Sequence, residues 1–258
     1  MPQTPQIETT NSEELTVLIH ESPPGELGVL LDQVGIEERH IQLMLRRSDL
    51  GGDLIERIGG NRKWAGSEAV RLGIVTHPHA PRRLAMTLLR QLFAFNLVRA
   101  SLNPRAPAEV RCVAEELLIE RIRQLPLSEK LLLARRGPAR VAGALLAEGH
   151  SDVLPAVLQS PFLTEAQVVR VLWRASVPPH VVITLADHPK WSSHYLVRVA
   201  LLRNQHTPIA AAMRFLPNVL STDLRELLRG GNVPGHLREQ VRREVARRSG
   251  GGSGNRCH

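Results

Sequence analysis

The chain of 258 residues is long enough for one large domain or two smaller ones, and its 43% apolar content excludes disorder throughout. Aromatic residues make up only 3%, which favours helix packing through Leu, Val, Ala and Ile over a β-sandwich. The formal net charge of +8 makes a polyanion a candidate partner, although the Arg-rich codon usage of a GC-rich genome produces the same composition.

The charge is unevenly distributed along the chain. Residues 1–38 carry eight acidic side chains and no Lys or Arg, so this part is −8 and the remainder is +16. The polar, Pro-containing residues 1–22 are predicted to be a disordered acidic arm. A single helical-repeat domain is predicted over 23–249, and residues 250–258 read as a flexible Gly/Ser tail.

The sequence favours a cytoplasmic protein without a membrane segment. No apolar run approaches the roughly 20 residues of a membrane span, and the N-terminus lacks the basic and apolar regions of a signal peptide. Cys112 and Cys257 are the only cysteines and lie far apart, which argues against a disulfide framework and fits a reducing compartment.

Short amphipathic helices separated by Pro, Asn and Gly turns account for most of the sequence. Ser67 is predicted to cap a helix that ends before Pro78, and Pro81 is predicted to open the next one. No segment alternates apolar and polar residues, so essentially no sheet is predicted. Further helices are predicted at 24–33, 36–47, 51–59, 107–122, 126–134, 137–147, 150–159, 163–174, 178–186 and 234–248.

Two segments of the chain repeat each other. Residues 61–81 (NRKWAGSEAVRLGIVTHPHAP) align without a gap on 188–208 (HPKWSSHYLVRVALLRNQHTP), 127 positions later (188 − 61 = 127). The match extends over about 27–97 and 154–224, most of the other pairs being apolar on apolar. A duplicated unit of short helix pairs predicts an all-α fold, specifically a right-handed α-solenoid.

The phrase HPKW…VRVALLRNQHTP, clear at 61–89 and 188–216, resembles the leucine-rich-repeat-variant and HEAT-like families of helical-repeat proteins. The resemblance implies a helical-repeat fold and a general capacity to bind partners, and it carries no catalytic motif. The founding leucine-rich-repeat-variant protein has an N-terminal cysteine cluster for iron–sulfur binding. This chain has no such cluster, so no cofactor is expected.

Tryptophan and proline mark equivalent positions of the repeat. Trp64 and Trp191 are predicted to fill the gap between successive helix pairs, the alternative being two platforms on which a base stacks. Pro81 and Pro208 are predicted to be structural repeat positions at helix starts.

Trp173 differs from its equivalent in the first copy, which is Arg46. With Arg170, three residues earlier on the same helix face, Trp173 is a candidate partner contact. A local variation of the core is the alternative, and the sequence leaves both open.

Clusters of arginine are candidate contacts for a polyanion such as DNA or RNA. A terminal capping helix with a solvated polar face explains the last of these clusters equally well. The clusters comprise Arg82, Arg83 and Arg90; Arg135, Arg136 and Arg140; and Arg238, Arg242 and Arg243.

Catalytic and metal-binding motifs are absent from the sequence. There is no H-E-x-x-H, C-x-x-C, G-x-S-x-G or phosphate-binding glycine loop in its required context. The expected function is therefore that of a non-enzymatic scaffold that binds a protein. Nucleic-acid binding through an Arg-rich face is the alternative.

Overall fold

A computed structural model of the chain describes residues 12–174, 176–231 and 233–250. Within these residues all regular elements are helical: nineteen α-helices and two short 3-10 turns, with no strand. The prediction of an all-α fold is confirmed. No helix in the described part of the chain is long and apolar enough to cross a bilayer.

The chain divides into two compact units, Met1–Glu120 and Arg121–His258, where the sequence predicted one domain over 23–249. The helices of the first unit are α1 (Ser12–Glu21), α2 (Leu27–Leu30), α3 (Glu38–Arg46), α4 (Gly52–Gly60), α5 (Arg62–Ala65), α6 (Glu68–Val75), α7 (Arg82–Leu89), α8 (Ala94–Leu102) and α9 (Ala108–Arg121), the last residue of which already belongs to the second unit.

The second unit begins with a 3-10 turn (Ile122–Gln124) and α10 (Leu127–Arg136), which have no equivalent in the first unit. Its remaining helices are α11 (Ala139–Glu148), α12 (Leu154–Leu158), α13 (Glu165–Leu172), α14 (Pro179–Asp187), α15 (Pro189–Ser193), α16 (Tyr195–Arg203), α17 (Ile209–Phe215), α18 (Ser221–Arg229) and α19 (Gly235–Gly250), with a second 3-10 turn at Leu216–Asn218.

Equivalent helices start at a constant sequence offset. Each of the nine helices α1 to α9 begins 127 positions before the corresponding helix among α11 to α19 (139 − 12 = 127 for α1 and α11; 235 − 108 = 127 for α9 and α19). Packing follows the same order, since α3 packs between α1 and α6 in the first unit, and α13 packs between α11 and α16 in the second.

Local sequence explains where the helices begin. Ser67 accepts a hydrogen bond from the backbone N–H of Val70 and so caps α6 as predicted. Pro81 and Pro208 occupy the N-cap positions of α7 and α17, where their missing N–H groups leave no helical hydrogen bond unmade.

Helix α1 corrects the predicted disordered arm. Residues 12–21 are helical, α1 packs against α3, and Leu15 and Ile19 are completely buried. Burial of each of these side chains contributes about 1.5–3 kcal/mol to the free energy of folding. The polar composition of the segment did not indicate that they would be buried. Residues 1–11 of the arm and 251–258 of the tail lie outside the described residues.

Candidate binding cleft in the second unit

The repeated tryptophans lie in the interior of their own units. Trp64 is 4% exposed and Trp191 is 1% exposed, so neither ring is accessible to a nucleic-acid base. The ammonium of Lys63 lies 4.2 Å from the ring centroid of Trp64, and that of Lys190 lies 4.4 Å from the ring of Trp191. Each lysine therefore covers its tryptophan by a cation–π contact.

The arginine cluster of the first unit is exposed but partly neutralised. Arg82, Arg83 and Arg90 all lie on the surface. Arg82 forms a bidentate ion pair with Glu109, with Nε 2.8 Å from one carboxylate oxygen. The guanidinium holds the pKa of Glu109 below its usual range, so the pair stays ionised near neutral pH.

Two arginine clusters belong to the second unit, and they differ in their acidic neighbours. Arg135, Arg136 and Arg140 are exposed, and Arg135 lines a shallow cleft together with Asp152. On α19, Arg243 pairs with Glu239 at 3.0 Å. Arg238 and Arg242, one turn apart on that helix, are exposed and have no ion pair within the described residues.

Trp173 lies on the surface of the second unit, with 64% of its area exposed. It follows the last residue of α13 and lines an open cleft of about 540 Å³. Arg170 is exposed on α13 but does not line this cleft. We call this feature the Trp173 cleft, and its lining includes Trp173, Arg174, Arg203, His206, Val233 and Pro234.

The charged side chains among the described residues that line the Trp173 cleft are both arginines. Arg174 and Arg203 contribute two guanidinium groups, and no Asp or Glu is among the described residues that line it. The Nε atom of Arg203 is buried and has no hydrogen-bond partner. An N–H buried without an acceptor is costly, so Arg203 carries an unpaired donor behind the surface of the cleft.

Asn204 fixes the backbone that carries these groups. Its Nδ2 donates to the carbonyl oxygen of Leu172 at 2.9 Å, and its Oδ1 accepts from the N–H of His206 at 3.0 Å. Both bonds are made by a side chain that is only 8% exposed. The turn after α16 is thereby tied to the end of α13, which holds Arg203 and Trp173 at one cleft.

Among the described residues, no group of three or more His, Cys, Asp or Glu side chains is placed to hold a metal ion. Comparison with protein-family models, with curated proteins and with solved structures found no match to this chain. The geometry of the Trp173 cleft is therefore the strongest guide to function. Its planar indole, two guanidinium groups and apolar wall suit non-covalent binding of a chain that carries both an apolar and an anionic group.

The sequence pointed to Trp173 but missed Arg174 and Arg203. Both arginines follow helical apolar runs and resemble ordinary surface residues in the sequence. The signal that could have found them is the internal alignment, in which Thr76 is the equivalent of Arg203 and Asp49 is the equivalent of Ser176. These exchanges add a cation and remove an anion near the cleft.

Proposed function

We propose that the protein is a non-enzymatic helical-repeat scaffold that binds a segment of another protein in the Trp173 cleft. The exposed indole of Trp173 beside two guanidinium groups, with no carboxylate in the described lining, is the observation that carries this proposal. Tryptophan and arginine are the residues most enriched among those that dominate protein-binding energetics.

A duplicated α-solenoid is the architecture we propose for this scaffold. The constant offset of 127 residues between nine pairs of helix starts supports duplication. Equivalent side-chain bonds support it as well: Arg71 Nε donates to the carbonyl of Ala65, and Arg198 Nε donates to that of Ser192, each at 2.7 Å. The resemblance of the repeated phrase to HEAT-like and leucine-rich-repeat-variant proteins favours a right-handed solenoid.

The test is selection of peptides from a random display library on the full-length protein, followed by titration of the selected peptides. Trp64 and Trp191 are buried, so a change in acrylamide quenching of tryptophan fluorescence on binding reports on Trp173. Trp173→Ala is expected to weaken binding by about 2 kcal/mol or more. The matched control is Phe93→Ala, which removes a 70% exposed aromatic ring from the first unit and should leave affinity unchanged.

Failure to enrich any peptide, or equal affinity of the selected peptides for the Trp173→Ala variant, would contradict the proposal. Circular dichroism and thermal unfolding of each variant establish that a loss of affinity does not reflect a loss of fold.

Nucleic-acid binding is a second candidate, favoured by the charge of α19. Arg242 and Arg243 occupy the positions at which α9 carries Glu115 and Glu116, so the charge of this helix face is reversed between the units. Fluorescence anisotropy with labelled single- and double-stranded DNA and RNA from about 50 to 200 mM salt tests it. Affinity that falls steeply with salt and is lost in Arg238→Gln/Arg242→Gln would favour this candidate; no binding at low salt would remove it.

A further inference from the structure

The first unit contains an arginine–carboxylate pair whose equivalent in the second unit is incomplete. Arg47 forms a bidentate ion pair with Asp49, at 3.0 Å from Nε to Oδ1 and 2.7 Å from Nη2 to Oδ2. Its Nη1 also donates to the carbonyl oxygens of Ile19 and Ser22. Four of the five N–H groups of the Arg47 guanidinium are thus paired with acceptors of its own unit.

In the second unit two of these three acceptors differ. Arg174 is the equivalent of Arg47, but Ser176 stands where the first unit has Asp49. The carbonyl oxygen of Gly149, equivalent to that of Ser22, accepts instead from Nε2 of His180 at 2.6 Å. Arg174 is exposed, and within the described residues its side chain has neither a hydrogen bond nor an ion pair.

Two neighbouring positions of the same surface also differ between the units. Thr76 bonds to the carbonyl of Leu72 in its own helix at 2.8 Å, and its equivalent is Arg203, whose buried Nε has no partner. Arg46 is replaced by the exposed Trp173. Compared with the first unit, the second loses an internal carboxylate and gains an aromatic ring beside Arg174, whose exposed side chain has no partner in the described residues.

We infer that the Trp173 cleft recognises an Asp or Glu side chain of the partner segment. Arg174 pairs with this carboxylate as Arg47 pairs with Asp49, and an apolar side chain next to it packs on Trp173 and Pro234. This inference rests on the proposed function and specifies its chemistry. A carboxylate is favoured over a phosphate because it is the group that the equivalent arginine already holds within this chain, in the bidentate geometry typical of Arg–carboxylate pairs.

The decisive variant gives the second unit an internal carboxylate of its own. Ser176→Asp places an acid where the first unit has Asp49, and it is expected to compete with the partner for Arg174. The affinity of the display-selected peptides should fall about tenfold or more. Ser176→Asn, which has nearly the same size but no charge, is the matched control and should change affinity less than about twofold.

The peptides are varied in parallel. Replacement of their acidic residues, Asp by Asn and Glu by Gln, should weaken binding to the wild-type protein as strongly as Ser176→Asp does. Arg174→Gln, which adds no charge to the protein, should have the same effect and remove the difference between acidic and amide peptides. Asp49→Asn in the first unit is a further control and should leave peptide affinity unchanged.

The outcomes separate this inference from the function on which it rests. If amide peptides bind as well as acidic ones and Ser176→Asp binds like the wild type, while Trp173→Ala still abolishes binding, the carboxylate inference is overturned and the scaffold function stands. If phosphoserine peptides or a labelled oligonucleotide bind the cleft and acidic peptides do not, the inference is also overturned. If no peptide is selected at all, the proposed function itself fails.

Discussion

The phenol of Tyr195 on α16 donates a hydrogen bond to the carboxylate of Asp223 on α18 and accepts one from the backbone N–H of Leu220 at 3.2 Å. Partial burial, and then the bond to Asp223, raise the pKa of Tyr195, so the phenol stays protonated and remains a donor. In the first unit, the equivalent positions connect α6 to the start of α8 through a different pair of side chains.

There Glu68 accepts from the N–H of Phe93 at 3.0 Å and from Nδ2 of Asn96 at 3.2 Å. The first unit therefore uses the carboxylate of Glu68 and the amide of Asn96. At the equivalent positions the second unit uses the phenol of Tyr195 and the carboxylate of Asp223. Exchange of both residues preserves the connection, whereas exchange of Tyr195 alone places two carboxylates opposite each other.

This arrangement predicts a compensating pair of substitutions in the second unit. Tyr195→Glu alone places a carboxylate against Asp223 and is expected to lower the free energy of unfolding by about 1–3 kcal/mol. Adding Asp223→Asn copies the pair of the first unit and should restore most of that loss. Urea unfolding of the two single variants and the double variant measures the coupling. Additive losses in the double variant would contradict the equivalence of the two pairs.

The buried imidazole of His77 predicts a pH dependence of stability. Its Nδ1 accepts from the N–H of His79 at 3.1 Å, so its Nε2 carries the proton that is donated to the carbonyl of Arg47 at 2.7 Å. Burial lowers the pKa of His77. The neutral form is thus favoured in the folded protein, and its contribution to stability is complete above about pH 6.5 and is lost as the pH falls through the lowered folded pKa.

Asn204, the equivalent residue, accepts from the N–H of His206 as His77 accepts from that of His79, and it donates to the carbonyl of Leu172 without an ionisable group. We therefore expect His77→Asn to retain the fold and to show a smaller loss of unfolding free energy than the wild type between about pH 7 and pH 5. Urea titrations at both pH values measure this. His20→Asn, at an exposed position on α1, serves as the control, and equal pH dependence of all three proteins would contradict the assignment.

The two buried tryptophans predict unequal costs for the same substitution. The indole N–H of Trp191 donates to the carbonyl of Leu158 at 3.0 Å, whereas that of Trp64 is buried without a partner. Both Trp→Phe changes remove similar volume, but only Trp191→Phe leaves a buried acceptor unpaired. We expect Trp191→Phe to cost about 1–3 kcal/mol more than Trp64→Phe in chemical unfolding. Equal costs would show that the hydrogen bond contributes nothing net.

Helix content and most helix starts could be predicted from the sequence because proline and capping residues act locally. Pro81, Ser67 and Pro208 set their boundaries through their own backbone or side-chain groups. Helices α1, α8 and α18 and the short helices α5 and α15 were not predicted. The apolar residues of α1 are few and their burial depends on α3, while Phe95 and Leu102 of α8 lie on its exposed face and blur the amphipathic pattern.

The candidate binding cleft could be predicted only in part. The exchange of Arg46 for Trp173 is visible in the sequence and identified the ring. Whether an arginine is available to a ligand depends on which acceptors surround it in space. Arg82 is exposed but paired with Glu109, and Arg174 is exposed without a partner in the described residues. That distinction requires coordinates.

The divergence of the two side-chain pairs also bears on how the chain assembles during folding. Helices with matching lengths and similar apolar faces can pair with the wrong copy, a recognised failure of repeat proteins. If α6 packed on α18 in place of α8, Glu68 would meet Asp223, and two carboxylates would face each other where a native pair has a donor and an acceptor. The difference between the two pairs therefore penalises an intermediate in which α6 packs on α18.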